Sequence, residues 1–251
     1  MTTDPASRAT TGASPRWWTP VIRLFQWLGQ RELPVLLAML LLFSSVFAFV
    51  ELADEVVEGS TQRIDETILL AMRSPADPTD TLGPPWVEEV MRDLTALGGG
   101  AVLVLLILSV AIYLLLLGRL QAMGFLIGAM AGGSLLSLIL KELFARPRPD
   151  LVPHLSYVTT SSFPSGHSML SAVTYLTLGA LLARIHNERR FKAFFILVAV
   201  SLTVLVGVSR VYLGVHWPTD VLGGWTVGAA WAILCWFGAR WLQSRGRIEQ
   251  E

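Results

Sequence analysis

Gly98–Gly118 reads GGGAVLVLLILSVAIYLLLLG, twenty-one residues without a charge. A helix needs about 20 mostly apolar residues to cross the hydrocarbon core of a bilayer, so this stretch predicts a membrane span. Pro34–Val50 is equally free of charge. Working outward on the same criterion gives six spans, at roughly 34–53, 98–118, 122–140, 165–183, 193–209 and 219–239. The expected fold class is therefore all-α, a polytopic membrane protein with six transmembrane helices. The fourth span is the most polar, with Ser165, Ser168, Ser171, Thr174 and Thr177; such hydroxyls suit a helix whose neighbours inside a bundle supply partners. Glycines four residues apart in the third span (Gly124, Gly128, Gly132) and at Gly224 and Gly228 predict close helix packing.

Composition agrees. Of 251 residues 53% are hydrophobic and 15% charged, where a soluble domain carries nearer a quarter charged. Disorder would require low hydrophobicity and high net charge. The 19 Lys and Arg balance the 19 Asp and Glu, which leaves no basic footprint for nucleic acid. A single cysteine, Cys235, excludes an internal disulfide and a Cys-rich metal site.

Charge placement then orients the chain. Arg8, Arg16, Arg23 and Arg31 precede the first span. Arg119 lies between the second and third, Arg184, Arg189, Arg190 and Lys192 between the fourth and fifth, and Arg240, Arg245 and Arg247 follow the sixth. These 12 of the 19 basic residues mark the cytoplasmic side by the positive-inside rule. Both termini are then expected in the cytoplasm, with 51–97, 141–164 and 210–218 outside. The stretch 51–97, with three arginines against eleven acids, contains two runs at helical spacing. Ile64, Ile68, Leu69 and Met72 form one; Trp86, Val90, Met91, Leu94 and Leu97 form the other. Prolines separate them, and together they predict a lipid-facing helical cap over about 54–97. Residues 1–33 lack the apolar core and cleavage site of a signal peptide. Trp17, Trp18, Phe25 and Trp27 mixed with arginines read as an interfacial amphipathic segment or a tail with an aromatic belt. The expected organisation is 1–33 interfacial segment, 34–240 membrane domain and 241–251 cytoplasmic tail.

The short outer connections collect an unusual polar set. Lys141 to Pro149 reads KELFARPRP, Pro164 to His167 reads PSGH, and Ser209 to Asp220 reads SRVYLGVHWPTD. All lie at helix ends on one predicted face. Lys141, Arg148 and Arg210 supply three cations, and arginine binds phosphate bidentately. Ser165-Gly166-His167 opens a helix whose free N–H groups and dipole favour an anion, and Gly166 allows close backbone approach. Pro218 suits the first position of a helix, which puts Asp220 in the first turn, within reach of His216. A carboxylate on one ring nitrogen leaves the other free to attack. Two histidines and a carboxylate in a basic pocket predict phosphoryl transfer, with one histidine as nucleophile and the other as general acid. Three nearby cations would repel a catalytic metal, so no metal or cofactor is expected.

Taken singly, Lys141 or Arg148 reads as a helix-end anchor snorkelling to the interface. His154 and His186 read as solvated loop residues, and Glu142 and Asp150 as solvated or paired. Arg146 is open between phosphate binding and contact with lipid headgroups. Anchoring does not readily produce all three clusters on one face.

Together, Lys141-x6-Arg148-Pro149, Pro164-Ser165-Gly166-His167 and Ser209-Arg210-x5-His216-x3-Asp220 resemble the three-part signature of the type-2 phosphatidic acid phosphatase superfamily, intact in residue type, spacing and order. The motifs span 141–220, and the span layout extends the resemblance to about 34–240. The resemblance implies a metal-independent phosphatase working through a phosphohistidine. His216 would be the nucleophile, Asp220 its orienting partner and His167 the acid and later the base. Lys141, Arg148, Ser165, Gly166 and Arg210 would hold the phosphate. The expected substrate is a phosphorylated lipid at the outer face of the plasma (inner) membrane. Undecaprenyl diphosphate is preferred over phosphatidylglycerophosphate and phosphatidic acid, and transfer to an acceptor hydroxyl or non-catalytic lipid-phosphate binding is the alternative.

Overall fold

The computed structural model describes residues 33–244, all-helical apart from one isolated bridge between Arg73 and Thr81. Contacts divide the chain into Met1–Leu40 and Leu41–Glu251. Of the first unit only the opening turns of a helix are described, and every residue expected at the site belongs to the second. Most of the 1–33 segment, and residues 245–251 of the tail, lie outside the described residues.

Eight helices run in order among the described residues: α1 Leu33–Glu58, α2 Gln62–Ala71, α3 Pro85–Ala96, α4 Gly100–Leu116, α5 Leu120–Phe144, α6 Gly166–Ile185, α7 Arg189–Tyr212 and α8 Pro218–Ser244. Five of them (α1, α5, α6, α7, α8) are long and apolar enough to span by themselves. The sixth expected span falls on α4, only 17 residues long, which meets α3 at a 45° bend; the two are long and apolar enough to cross only when taken together. Gly98 sits in that bend, where a Cβ would come within 2.4 Å of Val206 on α7. The two amphipathic runs of the stretch 51–97 are the helices α2 and α3.

α6 is the centre of the bundle. It packs along α7 and α8 and buries Ser168, Met169, Ala172, Val173 and Thr174. The Ser168, Ser171 and Thr174 hydroxyls find partners as a buried polar helix requires, while Thr177 Oγ1 has none among the described residues. Ser168 Oγ donates to Ser165 Oγ at 3.0 Å and Ser171 Oγ to the Ser168 carbonyl at 3.0 Å. In contrast, Phe43 and Phe47 on α1 are about two-thirds exposed, as lipid-facing residues are. An aromatic trio, Phe49, Phe144 and Phe163, with centroids 5.0–6.1 Å apart, joins α1 to the end of α5 and to the loop before α6.

The glycine pattern divides. A Cβ on Gly224 would lie 2.6 Å from the Ser165 carbonyl, and one on Gly228 would lie 2.6 Å from the Met169 carbonyl, so these two let α8 approach α6. Gly132 packs on Trp231, where a Cβ would come within 2.6 Å of the ring, but Gly124 and Gly128 face open space. The four-residue spacing in the third span is thus a packing signal only at its last member. Gly228→Val is expected to destabilise the protein by about 1–3 kcal/mol through overpacking against backbone, whereas Gly124→Val should stay within about 0.5 kcal/mol. Thermal unfolding in detergent, followed by size-exclusion fluorescence, checks both.

Candidate active site

The spacing from Arg210 to Asp220 is set by the end of one helix and the start of the next. α7 stops in a Schellman arrangement: the Gly214 N–H donates to the Val211 carbonyl at 2.9 Å and the Val215 N–H to the Arg210 carbonyl at 3.2 Å. Gly214 takes φ +74°, and a side chain there would strike Arg73 and the Pro153 carbonyl. His216 follows at once. Trp217 then gives its carbonyl to the Val221 N–H at 3.3 Å, as the residue before a helix does. Pro218 opens α8, needing no N–H partner. The glycine turn and the proline start therefore put Arg210, His216 and Asp220 on one short corner.

Asp220 is fully buried and heavily bonded. Its Oδ2 accepts the Trp217 N–H at 2.8 Å and the Ser162 hydroxyl, and stands 3.3 Å from His216 Nδ1. Its Oδ1 accepts Arg146 at 2.7 Å. On the other side of the ring, Arg148 NH1 lies 3.2 Å from His216 Nε2. The guanidinium can only donate, so Nε2 accepts and Nδ1 carries the proton toward Asp220. This tautomer leaves the Nε2 lone pair directed at the cationic side.

That side is built from three helix ends. Lys141, in the last turn of α5, is buried and donates to the Ser161 carbonyl at 2.6 Å. Arg148 is held by the Thr160 and Val215 carbonyls at 2.7 and 2.6 Å. Arg210, 1% exposed, donates to Thr95 Oγ1 at 3.0 Å, while its buried Nε has no partner among the described residues. A buried cationic donor left open in this way suits an anionic ligand. α6 begins at Gly166 with Ser165 as its cap, accepting the Ser168 N–H. A Cβ on Gly166 would lie 3.3 Å from Lys141 Cε, so the glycine lets the helix start close to the lysine. The Ser165 N–H donates to the Asp220 carbonyl at 2.9 Å, which joins this helix start to the His216 corner. His167 stands within electrostatic reach of His216 and of all three cations.

Burial, reinforced by the charges of Arg210, Arg148 and Lys141, holds the His216 imidazole well below the ordinary histidine range. Its contact with Asp220 is then a hydrogen bond of a neutral ring rather than an ion pair. Burial likewise lowers Arg148, opposed by the Asp220 carboxylate.

All eight residues expected at the site (Lys141, Arg148, Ser165, Gly166, His167, Arg210, His216, Asp220) converge at this end of the bundle. Arg146 takes neither of the positions open to it from the sequence: its side chain is 9% exposed and bridges Asp220 and Asp65, at 2.7 and 2.8 Å. Four participants were given no role by the sequence reading: Asp65, Thr95, Ser162 and Thr219. For Asp65 a signal existed, because it shares a helix face with Leu69 and Met72 at i+4 and i+7. An acid in an apolar register marks a buried partner.

Comparison with known proteins places this geometry in a family. The model of the PAP2 superfamily matches residues 122–243. Phosphatidylglycerophosphatase B of Bacillus subtilis is 34% identical over 181 residues, covering 72% of this chain and 85% of the relative. An undecaprenyl-diphosphatase of Sulfolobus acidocaldarius is 32% identical over 94 residues, 36% of this chain and 41% of its own length. The crystal structure of a transmembrane PAP2-type phosphatidylglycerolphosphate phosphatase from Bacillus subtilis superposes with a TM-score of 0.71 at 32% identity, covering 80% of this chain and 96% of that one. The chain belongs to the PAP2 superfamily, as a multi-pass membrane phosphatase.

Proposed function

We propose that this protein hydrolyses a lipid phosphate at the outer face of the plasma membrane through a phosphohistidine on His216, without a metal. The observation that carries the reading is the placement of the His216 ring, with Nδ1 3.3 Å from Asp220 Oδ2 and Nε2 3.2 Å from Arg148 NH1. Phosphate oxygens bound by Lys141, Arg148, Arg210, the Ser165 hydroxyl and the Gly166 N–H would set phosphorus in front of Nε2. Nε2 attacks, the P–O bond to the lipid breaks, and His167 protonates the departing oxygen. Asp220 stabilises the imidazolium that forms. In the second step His167 takes a proton from water, whose oxygen attacks phosphorus, and the P–N bond breaks to release inorganic phosphate. Transfer to another hydroxyl would use the same intermediate with an alcohol in place of water.

Lipid specificity follows from position. The site lies at helix ends, where a headgroup meets cations while its tails stay in hydrocarbon. The charge asymmetry of the connections supports an outward site, which favours undecaprenyl diphosphate. Phosphatidylglycerophosphate is the second reading, supported by the Bacillus relative that matches over most of its own length.

With purified protein in excess chelator, phosphate release from undecaprenyl diphosphate, phosphatidylglycerophosphate and phosphatidic acid, compared side by side, should persist and rank the three. His216→Ala should lower release about a thousandfold or more. Equal release by both proteins would end the phosphohistidine reading, and loss of release on chelation would end the metal-free one. Nitrogen NMR of isotope-labelled histidine supplies a second check. Because burial and nearby cations lower the pKa of His216, its ring should stay neutral as pH falls through the range in which an ordinary histidine becomes protonated.

A further inference from the structure

We infer that Asp65 and Arg146 are positioning residues for the His216–Asp220 pair, acting through a buried circuit that runs from α2 to the first turn of α8. The inference rests on the reading of His216 as the nucleophile.

The circuit begins with a missing cap. The residue before α8 is Trp217, whose indole has no acceptor for the orphan N–H groups of the first turn. Pro218 has no N–H to satisfy. The next donor, the Thr219 N–H, goes to Asp65 Oδ1 at 2.9 Å, so a carboxylate from another helix caps α8 in place of a local side chain. Its charge also meets the positive end of the helix dipole. Asp220, two residues into the turn, reaches back to the Trp217 N–H at 2.8 Å, in the manner of the acid in a capping box. The start of α8 is thus held by two carboxylates, one of them the partner of His216.

Those carboxylates are tied to each other. Thr219 Oγ1 donates to Asp65 Oδ2 at 2.6 Å and accepts Arg146 NH1 at 2.8 Å. Arg146 NH2 reaches Asp65 Oδ2 at 2.8 Å, and NH1 reaches Asp220 Oδ1 at 2.7 Å. Both acids are 0% exposed, and Arg146 is the cation that pairs with both. Without it, two buried carboxylates would share one site, which disfavours keeping both ionised. A second tie comes from the residues after α2: Arg73 NH2 donates to the Tyr212 carbonyl at 3.0 Å, at the end of α7. The α2 segment therefore reaches both ends of the loop that carries His216.

The role differs from phosphate binding. Both terminal nitrogens of Arg146 are committed to carboxylates, whereas Arg148 stands against His216 and Arg210 keeps an open donor. Changes at Arg146 should therefore act on the chemical step through Asp220, and leave lipid binding nearly intact.

The test uses the full chain in detergent with dioctanoyl phosphatidic acid as probe, measuring kcat and KM separately, with melting temperature as a folding control. Arg146→Met is expected to lower kcat about 10–100-fold, the range found when supporting partners of site residues are removed, with KM changed less than about twofold. Arg146→Lys should recover part of the loss. Asp65→Asn, which keeps an acceptor for Thr219 but not the charge, should lower kcat in the same direction and serves where Arg146→Met fails to fold. In nitrogen NMR both variants should reduce the fraction of His216 protonated at Nδ1, a signature that loss of stability alone would not produce. Folded Arg146→Met and Asp65→Asn with wild-type kcat, beside an inactive His216→Ala, would overturn this inference alone. A loss confined to KM would also overturn it. An active His216→Ala would remove the reading on which it rests, and the inference with it.

Discussion

The carboxylate of Asp220 is the constraint from which the site follows. Its two oxygens take the Arg146 guanidinium, the Ser162 hydroxyl, the Trp217 N–H and the His216 ring nitrogen, from a fully buried position. A buried charge is tolerated only when its lone pairs are filled, and filling them draws together the α5–α6 loop, the His216 corner and α8. His216 inherits its tautomer from that arrangement. Arg148 then stands on the opposite side of the ring, 3.2 Å from Nε2, with Lys141 and Arg210 close enough for their charges to act on it.

The bundle supports this constraint from below. Gly224 and Gly228 bring α8 against the start of α6, so the Ser165 N–H can reach the Asp220 carbonyl at 2.9 Å. The bend at Gly98 brings α3 over α7, where Thr95 holds Arg210. The lipid-exposed helix α1 meets this region through Phe49, against Phe144 and Phe163. Packing between helices and hydrogen bonding at their ends therefore serve the same residues.

Much of this was legible in the chain because the signals are local. Uncharged runs mark the spans, Pro218 and Ser165 mark helix starts, and the spacing from Arg210 to Asp220 is one helix end plus one helix beginning. The rest was hidden because it depends on partners distant in sequence. Arg146 looks like its neighbour Arg148 in the run RPRP, yet one is neutralised by Asp65 from 81 residues away and the other stands against His216. Nothing near Thr219 announces that its N–H is capped from α2. Gly124 and Gly128 carry the same spacing as Gly132 but face open space, because the pattern specifies which glycines share a helix face and not what that face meets. The bent pair α3–α4 shows a similar limit: hydropathy marked the apolar stretch and not the bend, in which Gly98 lies against Val206 of α7.

The most direct test of the central claim, a covalent phosphate on His216, is rapid quenching of the full chain during turnover of a radiolabelled lipid phosphate. The account predicts protein-bound label that survives alkali, is lost in acid, maps to the peptide containing His216 and is absent from His216→Ala. Steady turnover with no protein-bound label on any quench timescale, or label mapping to a different residue, would contradict it.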